Sequence, residues 1–317
     1  MDILLGVAVL VVSLLALIKT SHWVIGSAMK IAHMARLSEM TVGFLFIAVA
    51  TSLPELAVSV SAIMSNDIGI SIGNLLGSNI ADIALIVGIA ALFGPVIIKR
   101  KMLKDISAIL FLTSFVLILL MGMTFASRYI GILLLFIFAG FVYFSLKNRK
   151  PPALRGTKGK TMNAREVMKT LLTFAVGVAG VFISSRFVVD SAVSIALALG
   201  VAESVIGASV IAVGTSLPEL AVDLTAIRAK RWGLALGDAI GSTLTNITLI
   251  LGFVLAVSPF AVNMSIFQTI TLFVLLTNVI LWYFISRGKL ERSNGIVLLF
   301  IYLMFLMSLF GVQLAIL

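Results

Sequence analysis

Ala50-Thr51-Ser52-Leu53-Pro54-Glu55-Leu56-Ala57-Val58 returns almost unchanged as Gly214-Thr215-Ser216-Leu217-Pro218-Glu219-Leu220-Ala221-Val222. The likeness extends outward. Residues 43–88 and 207–252 align without a gap at a constant offset of 164 residues, which sets Thr51 on Thr215 and Glu55 on Glu219. About half of the aligned positions are identical, a fixed-register internal repeat. A second shared stretch follows the first in each copy. Gly73-Asn74-Leu75-Leu76-Gly77-Ser78 runs on to Asp82, and Gly237-Asp238-Ala239-Ile240-Gly241-Ser242 runs on to Asn246. The match can be followed back to Gly26-Ser27 against Asp190-Ser191.

The surroundings of the repeat are apolar. Of 317 residues 61% are hydrophobic and 11% charged, and the mean hydropathy is +1.21. A water-soluble domain would carry about a quarter charged residues, so the lipid bilayer is this chain's solvent. Apolar runs long enough for spanning helices recur, which excludes a barrel of strands of about ten alternating residues. The net charge of +10 is not a nucleic-acid signal, because the basic residues sit mostly in short loops between apolar runs. Cysteine is absent, which excludes disulfides, thiol catalysis and cysteine metal sites. Met1-Asp2-Ile3-Leu4-Leu5-Gly6 lacks a basic leader and reads as the start of the first span.

Ten spans are expected, near 3–34, 40–65, 68–98, 106–125, 130–146, 167–199, 204–229, 233–257, 266–286 and 295–317. The fold class is all-α integral membrane. Residues 1–146 form a first five-helix repeat, 147–165 a basic cytoplasmic linker, and 166–317 a second repeat. Lys99, Arg100, Lys101 and Lys104 follow span three, and a further seven basic residues crowd 147–165. Other basic residues fall beside Arg36, around Arg228–Arg231 and at Arg287–Arg292, while the opposite loops hold only Arg128. The positive-inside bias puts these loops in the cytoplasm and both termini outside a plasma membrane. Five spans per copy is an odd number, so the second copy is inverted relative to the first, an architecture common among secondary transporters.

Glu55 and Glu219 each lie near the middle of an apolar span, where a carboxylate costs a few kcal/mol unless compensated. A single such glutamate could be helix glue; two at equivalent places of an inverted repeat point to a shared site. Pro54 and Pro218 free carbonyls one turn back, and Thr51, Ser52, Thr215 and Ser216 add hydroxyls. These hydroxyls could equally satisfy a proline-broken backbone. Asp82 and Asn246 fall four residues after Ser78 and Ser242, on the same helical faces. The donor set is hard oxygen, suited to Ca²⁺ or Na⁺ rather than zinc or copper. Gly73 with Gly77 and Gly237 with Gly241 read as small-residue contacts that press spans three and eight against spans two and seven. With Glu55, Glu219 and Asp82 ionised the site carries three negative charges, which three Na⁺ would neutralise and one Ca²⁺ would not.

The paired Thr-Ser-Leu-Pro-Glu motifs, the two Gly-x-x-x-Gly-Ser stretches and the ten-span plan resemble the cation/calcium exchanger superfamily, prokaryotic sodium/calcium exchangers in particular. The resemblance implies a Ca²⁺ position flanked by Na⁺ positions, with spans one and six sliding across the other eight. Carried over residue by residue, the ligands are Thr51, Ser52, Glu55, Ser78 and Asp82, with Thr215, Ser216, Glu219, Ser242 and Asn246. Carbonyls near Ile47 and Ile211, or Ala48 and Ala212, are weaker transfers. No cofactor, no enzymatic activity, no catalytic residue and no nucleic-acid partner is implied. The partners are Ca²⁺, Na⁺ and the bilayer, with H⁺ or K⁺ as alternative coupling ions, and the chain is expected to work as a monomer.

Some positions depart from that pattern. Archaeal exchangers of this type usually carry Asn in the first repeat and Asp in the second at the Asp82/Asn246 pair, the reverse of the order here. Asp238 stands where the first repeat has Asn74, and Asp223 where it has Ser59. Asp223 reads either as a partner of Arg228 or as a further cation or proton site. Arg186 and Asp190, four apart, read as a local ion pair. The expected activity is Na⁺/Ca²⁺ antiport by alternating access, with H⁺/Ca²⁺ or other divalent-cation exchange as the alternative. A cation channel would need an open polar path, and an intramembrane protease would leave the repeat unexplained.

Overall fold

The computed structural model describes residues 3–35, 37–64, 68–122, 125–147, 163–198, 216–258, 260–261 and 267–316. Helix α1 (Ile3–Ala35) is the first span. The second span is built in pieces: α2 (Glu39–Val42), a π-helical segment Gly43–Ile47, α3 (Ala48–Thr51) and α4 (Leu53–Met64). Then come α5 (Ile68–Ile80), a π-helical segment Ala81–Val87 and α6 (Gly88–Leu92). Helices α7 (Arg100–Met121) and α8 (Arg128–Lys147) complete the first half.

The second half holds α9 (Ala164–Ala198), α10 (Leu217–Arg228) and α11 (Trp232–Leu244). A π-helical segment Thr245–Ile250 leads into α12 (Leu251–Val257), followed by α13 (Gln268–Ser286) and α14 (Arg292–Ile316). Eight helical stretches among the described residues are long and apolar enough to cross a membrane. Helix α14 is a further apolar helix of 25 residues, and α10 is the described part of the remaining span. The chain is an all-helical, multi-pass membrane protein.

Two local features explain the broken second span. Ser38 caps α2 by accepting from the Thr41 backbone N–H at 3.1 Å. Pro54 stands in the first turn of α4, where a missing N–H costs nothing. The proline therefore opens a new helix instead of kinking an old one, and Leu56 N–H closes the turn on the Ser52 carbonyl at 3.2 Å. Pro218 occupies the same place in α10, behind Ser216 at the N-cap.

The described residues fall into two compact units. The first comprises Met1–Thr51 and Phe144–Asp238. In it α1 and α9 run side by side in opposite directions: a Cβ on Gly177 would touch Val24, and one on Gly180 would come 2.5 Å from Thr20 Cγ2. Arg231 pairs with Glu39 at 3.0 Å. A Cβ on Gly237 would fall 2.5 Å from the Met40 carbonyl oxygen and 3.1 Å from Gly43 Cα. Glycine is required there by α11 lying against the second span. The glycine expectation is thus met at Gly237, where the contact is between span eight and span two. At Gly73 and Gly77 an added Cβ would meet nothing within 4 Å among the described residues; Ser204 and Gly207, the repeat counterparts of Met40 and Gly43, lie outside them.

The second unit comprises Ser52–Tyr143 and Ala239–Leu317. Its core holds Leu75, Leu76, Ile80, Leu117, Ile247, Ile250, Leu255 and Val274. Among the described residues four strand fragments, unforeseen in an all-helical reading, form two ribbons. β1 (Val96–Ile97) pairs with β4 (Lys289–Leu290), and β2 (Phe125–Ala126) pairs with β3 (Phe260–Ala261). β1 takes over the backbone where the third span was expected to continue; its helix ends at Leu92. The registers are Val96 with Leu290 and Phe125 with Ala261. Shifting each residue into the other copy by the repeat offset converts one ribbon into the other, register included. Gly131 and Gly252 approach each other as Gly295 and Gly88 do, in both cases with an added Cβ only 2.6 Å from the facing carbonyl oxygen. Exchange of the copies thus maps contacts onto contacts, as a two-fold relation between them requires.

Candidate functional site

The acidic half-helices and the π-helical segments supply the polar atoms. In the second unit Glu55, in the first turn of α4, is 1% exposed. Ser78 on α5 donates from Oγ to Glu55 Oε1 at 3.1 Å. Glu55 Oε2 is buried with no hydrogen-bond partner among the described residues, and so are Ser52 Oγ and Ser242 Oγ. Asp82 and Asn246 each stand second in their π-helical segments, Ala81–Val87 and Thr245–Ile250, and both are buried. A π turn widens the helix by one residue and is frequent at functional sites. Here the two start at equivalent positions of the repeat.

Asn246 donates from Nδ2 to Asn79 Oδ1 at 3.1 Å. Its own Oδ1 is buried without a hydrogen-bond partner among the described residues. Asn79, fully buried next to Ser78, escaped the sequence reading. The available signal was a polar amide inside an apolar span. The Asn79 Nδ2 is likewise buried without a hydrogen-bond partner among the described residues, so the pair uses one nitrogen and one oxygen of its two amides.

In the first unit Ser216, Glu219, Asp223 and Asp238 are all buried. Glu219 sits in the first turn of α10 and Asp223 one turn further along. Thr51, at the end of α3, lies with its hydroxyl 3.1 Å from Asp238 Oδ1, 3.1 Å from the Ile47 carbonyl and 3.4 Å from the Ala48 carbonyl. One hydroxyl proton serves these three acceptors. Asp238 is therefore the side chain from the second copy that holds a motif residue of the first. Thr215, with Ile211 and Ala212, lies outside the described residues. Arg186 and Asp190 form an exposed pair at 3.7 Å, while Asp223 is buried and Arg228 exposed.

An unpaired buried oxygen in a membrane interior costs free energy, a cost that a bound hard cation would offset. Among the described residues no three His, Cys, Asp or Glu side chains cluster as a metal site. The donors are mostly hydroxyl and amide oxygens, which favour Na⁺ and Ca²⁺ over softer metals. Two-fold-related copies, half-helices starting at proline and buried carboxylates inside spanning helices define a secondary transporter for hard cations.

The chain belongs to the sodium/calcium exchanger protein family, whose family model matches residues 5–147 and 169–311. It is 34% identical over 345 aligned positions to sodium/calcium exchanger MaX1 of Methanosarcina acetivorans, covering 95% of this chain and 97% of that one. An uncharacterised membrane protein of Methanocaldococcus jannaschii is 31% identical over 307 positions, covering 97% and 99%. Among solved structures, the sodium-calcium exchanger NCX_Mj soaked with zero Na⁺ and Ca²⁺ superposes with a TM-score of 0.85 at 30% identity, covering 97% of this chain and 99% of that one. The family's members are transporters, not enzymes, and Na⁺ and Ca²⁺ are the transported ions.

Proposed function

We propose that the chain exchanges Na⁺ for Ca²⁺ by alternating access, holding the ions on Thr51, Ser52, Glu55, Ser78 and Asp82 with Thr215, Ser216, Glu219, Ser242 and Asn246. The observation that carries the ligand set is the second unit's buried oxygens. Glu55 Oε2 is buried with no hydrogen-bond partner among the described residues. Ser78 steadies the other oxygen, and Asn246 bonds Asn79. Na⁺ and Ca²⁺ compete for the same oxygens, so entry of Na⁺ down its gradient expels Ca²⁺. Two five-helix repeats, 1–146 and 166–317, joined by the basic segment 147–165, carry the site, and the two stretches matched by the family model support that division. The loop charges favour a plasma-membrane protein with both termini outside. One chain supplies every ligand, so a monomer suffices.

The test is flux of radiolabelled Ca²⁺ into liposomes holding purified protein, with Na⁺, K⁺ and H⁺ gradients imposed one at a time. Uptake should follow an outward Na⁺ gradient at fixed pH. Uptake that needs only a pH gradient would replace Na⁺ by H⁺ in this reading, and a K⁺ requirement would add a third ion.

A further inference from the structure

A pocket of about 390 Å³ opens on the first unit between α1 and α9, lined by His22, Trp23, Ser27, Lys30, Glu166 and Lys169 among others. A second pocket of about 670 Å³ shares Trp23 and Lys169 and continues over Arg165, Met168, Leu172 and Val176. Both volumes lie in the range of small-molecule sites, roughly 300–1,000 Å³. One compartment is polar and basic and the other is walled by apolar side chains. They begin where α9 leaves its close glycine contacts: Gly177 and Gly180 hold the helices together at Val24 and Thr20, and the pockets lie beyond, toward Lys30 and Arg165.

The polar atoms divide into two kinds. Lys30, Lys169 and Arg165 offer positive charge against Glu166, the one carboxylate among the described lining residues, whose Oε2 also accepts from the Asn163 backbone N–H at 3.3 Å. The Thr170 and Thr173 hydroxyls donate back to the carbonyls of Glu166 and Lys169 at 2.8 and 2.7 Å. The Ser27 hydroxyl does the same to Trp23. The Nδ1 of His22 lies 2.7 Å from the Ile18 carbonyl and donates to it. With those protons spent, the lone pairs of these groups are what remain for a ligand. Residues 148–162 between α8 and α9 contain basic but no acidic side chains, so that segment cannot neutralise the pocket.

We propose that this double pocket is a binding site for an anionic glycerophospholipid: phosphate on Lys30, Lys169 and Arg165, headgroup hydroxyls donating to the Ser27, Thr170 and Thr173 oxygens, and an acyl chain along Trp23, Met168, Leu172 and Val176. Basic pockets between membrane helices select anionic headgroups. The acceptor-rich lining favours a hydroxyl-bearing headgroup, and the apolar compartment favours a lipid over a free phosphate. The site is separate from the ion ligands and does not depend on which ion is transported.

The experiment is native mass spectrometry of the full chain in detergent, titrated with phosphatidylglycerol, phosphatidylcholine or inorganic phosphate. Phosphatidylglycerol should be retained in preference to phosphatidylcholine. The Lys30→Gln/Lys169→Gln double variant should lose that preference by on the order of tenfold, and Lys30→Arg/Lys169→Arg should keep it. Quenching of Trp23 fluorescence by brominated phosphatidylglycerol, read against a Trp23→Phe control, should fall in the Gln variant in parallel. Equal retention of the two lipids, an unchanged Gln variant, or displacement of the lipid by millimolar inorganic phosphate would overturn the assignment.

Discussion

Asn278 on α13 donates from Nδ2 to Ser114 Oγ on α7 at 2.9 Å, and these two residues are each other's counterparts in the repeat. A residue that bonds its own counterpart lies where the two-fold relation between the copies passes. Asn278 also donates to Thr113 at 3.3 Å. Polar contacts between membrane helices contribute about 0.6–2 kcal/mol each. Asn278→Ala should therefore lower the protein's resistance to denaturing detergent by about 1 kcal/mol, measured by equilibrium unfolding. Ser114→Ala should cost less, because Thr113 remains as an acceptor.

Glu55→Gln keeps the shape of the side chain and an acceptor for Ser78 but removes the charge. If Glu55 is an ion ligand, Na⁺-driven Ca²⁺ flux should fall by two orders of magnitude or more, since losing a charged partner costs several kcal/mol and each 1.4 kcal/mol is tenfold. Ser78→Ala removes one hydrogen bond to a charged group, worth about 1.5–3 kcal/mol, and should weaken apparent Ca²⁺ affinity about tenfold with the protein still folded. Full flux in Glu55→Gln would refute the ligand set.

The two π-helical segments mark the limit of what the residues disclose. Thr51, Ser52, Glu55 and Asp82 stand out in the sequence because polar groups in apolar spans are costly; the first three recur 164 residues later, and Asp82 is answered there by Asn246. The insertion of one extra residue per turn at Ala81–Val87 and Thr245–Ile250 leaves no trace in side-chain type, since the apolar pattern continues through it. The strand ribbons were hidden for another reason: two residues such as Val96-Ile97 cannot display alternation. Gly73 and Gly77 repeat the spacing of Gly237 and Gly241, and only the structure shows what Gly237 touches. Asp238 stood out as a mismatch to Asn74, yet nothing in the sequence pointed to Thr51 as its partner.

The packing at Gly237 is testable. Gly237→Ala drives a methyl into the Met40 carbonyl, 2.5 Å away, and neither backbone can yield cheaply. The cost should be about 1–3 kcal/mol, seen as a lower melting temperature and reduced yield of monodisperse protein. Gly140→Ala on α8 meets nothing within 4 Å among the described residues and should be neutral or gain about 0.5–1 kcal/mol from helix propensity. Equal melting temperatures for the two variants would contradict the packing at Met40.

Asp238→Asn asks a sharper question about the ion count. Asparagine keeps an oxygen to accept from Thr51, so the contact at 3.1 Å and the fold should survive. The substitution gives the second copy the residue that Asn74 provides in the first, and it removes one buried carboxylate. If that charge is felt at the ion ligands through Thr51, Na⁺ affinity should drop several-fold while Ca²⁺ exchange continues, and Asp238→Ala should be worse because Thr51 loses its side-chain acceptor as well. Both are read from the Na⁺ dependence of Ca²⁺ efflux at fixed pH. An unchanged Na⁺ dependence in Asp238→Asn would make the residue a strut for Thr51 and nothing more.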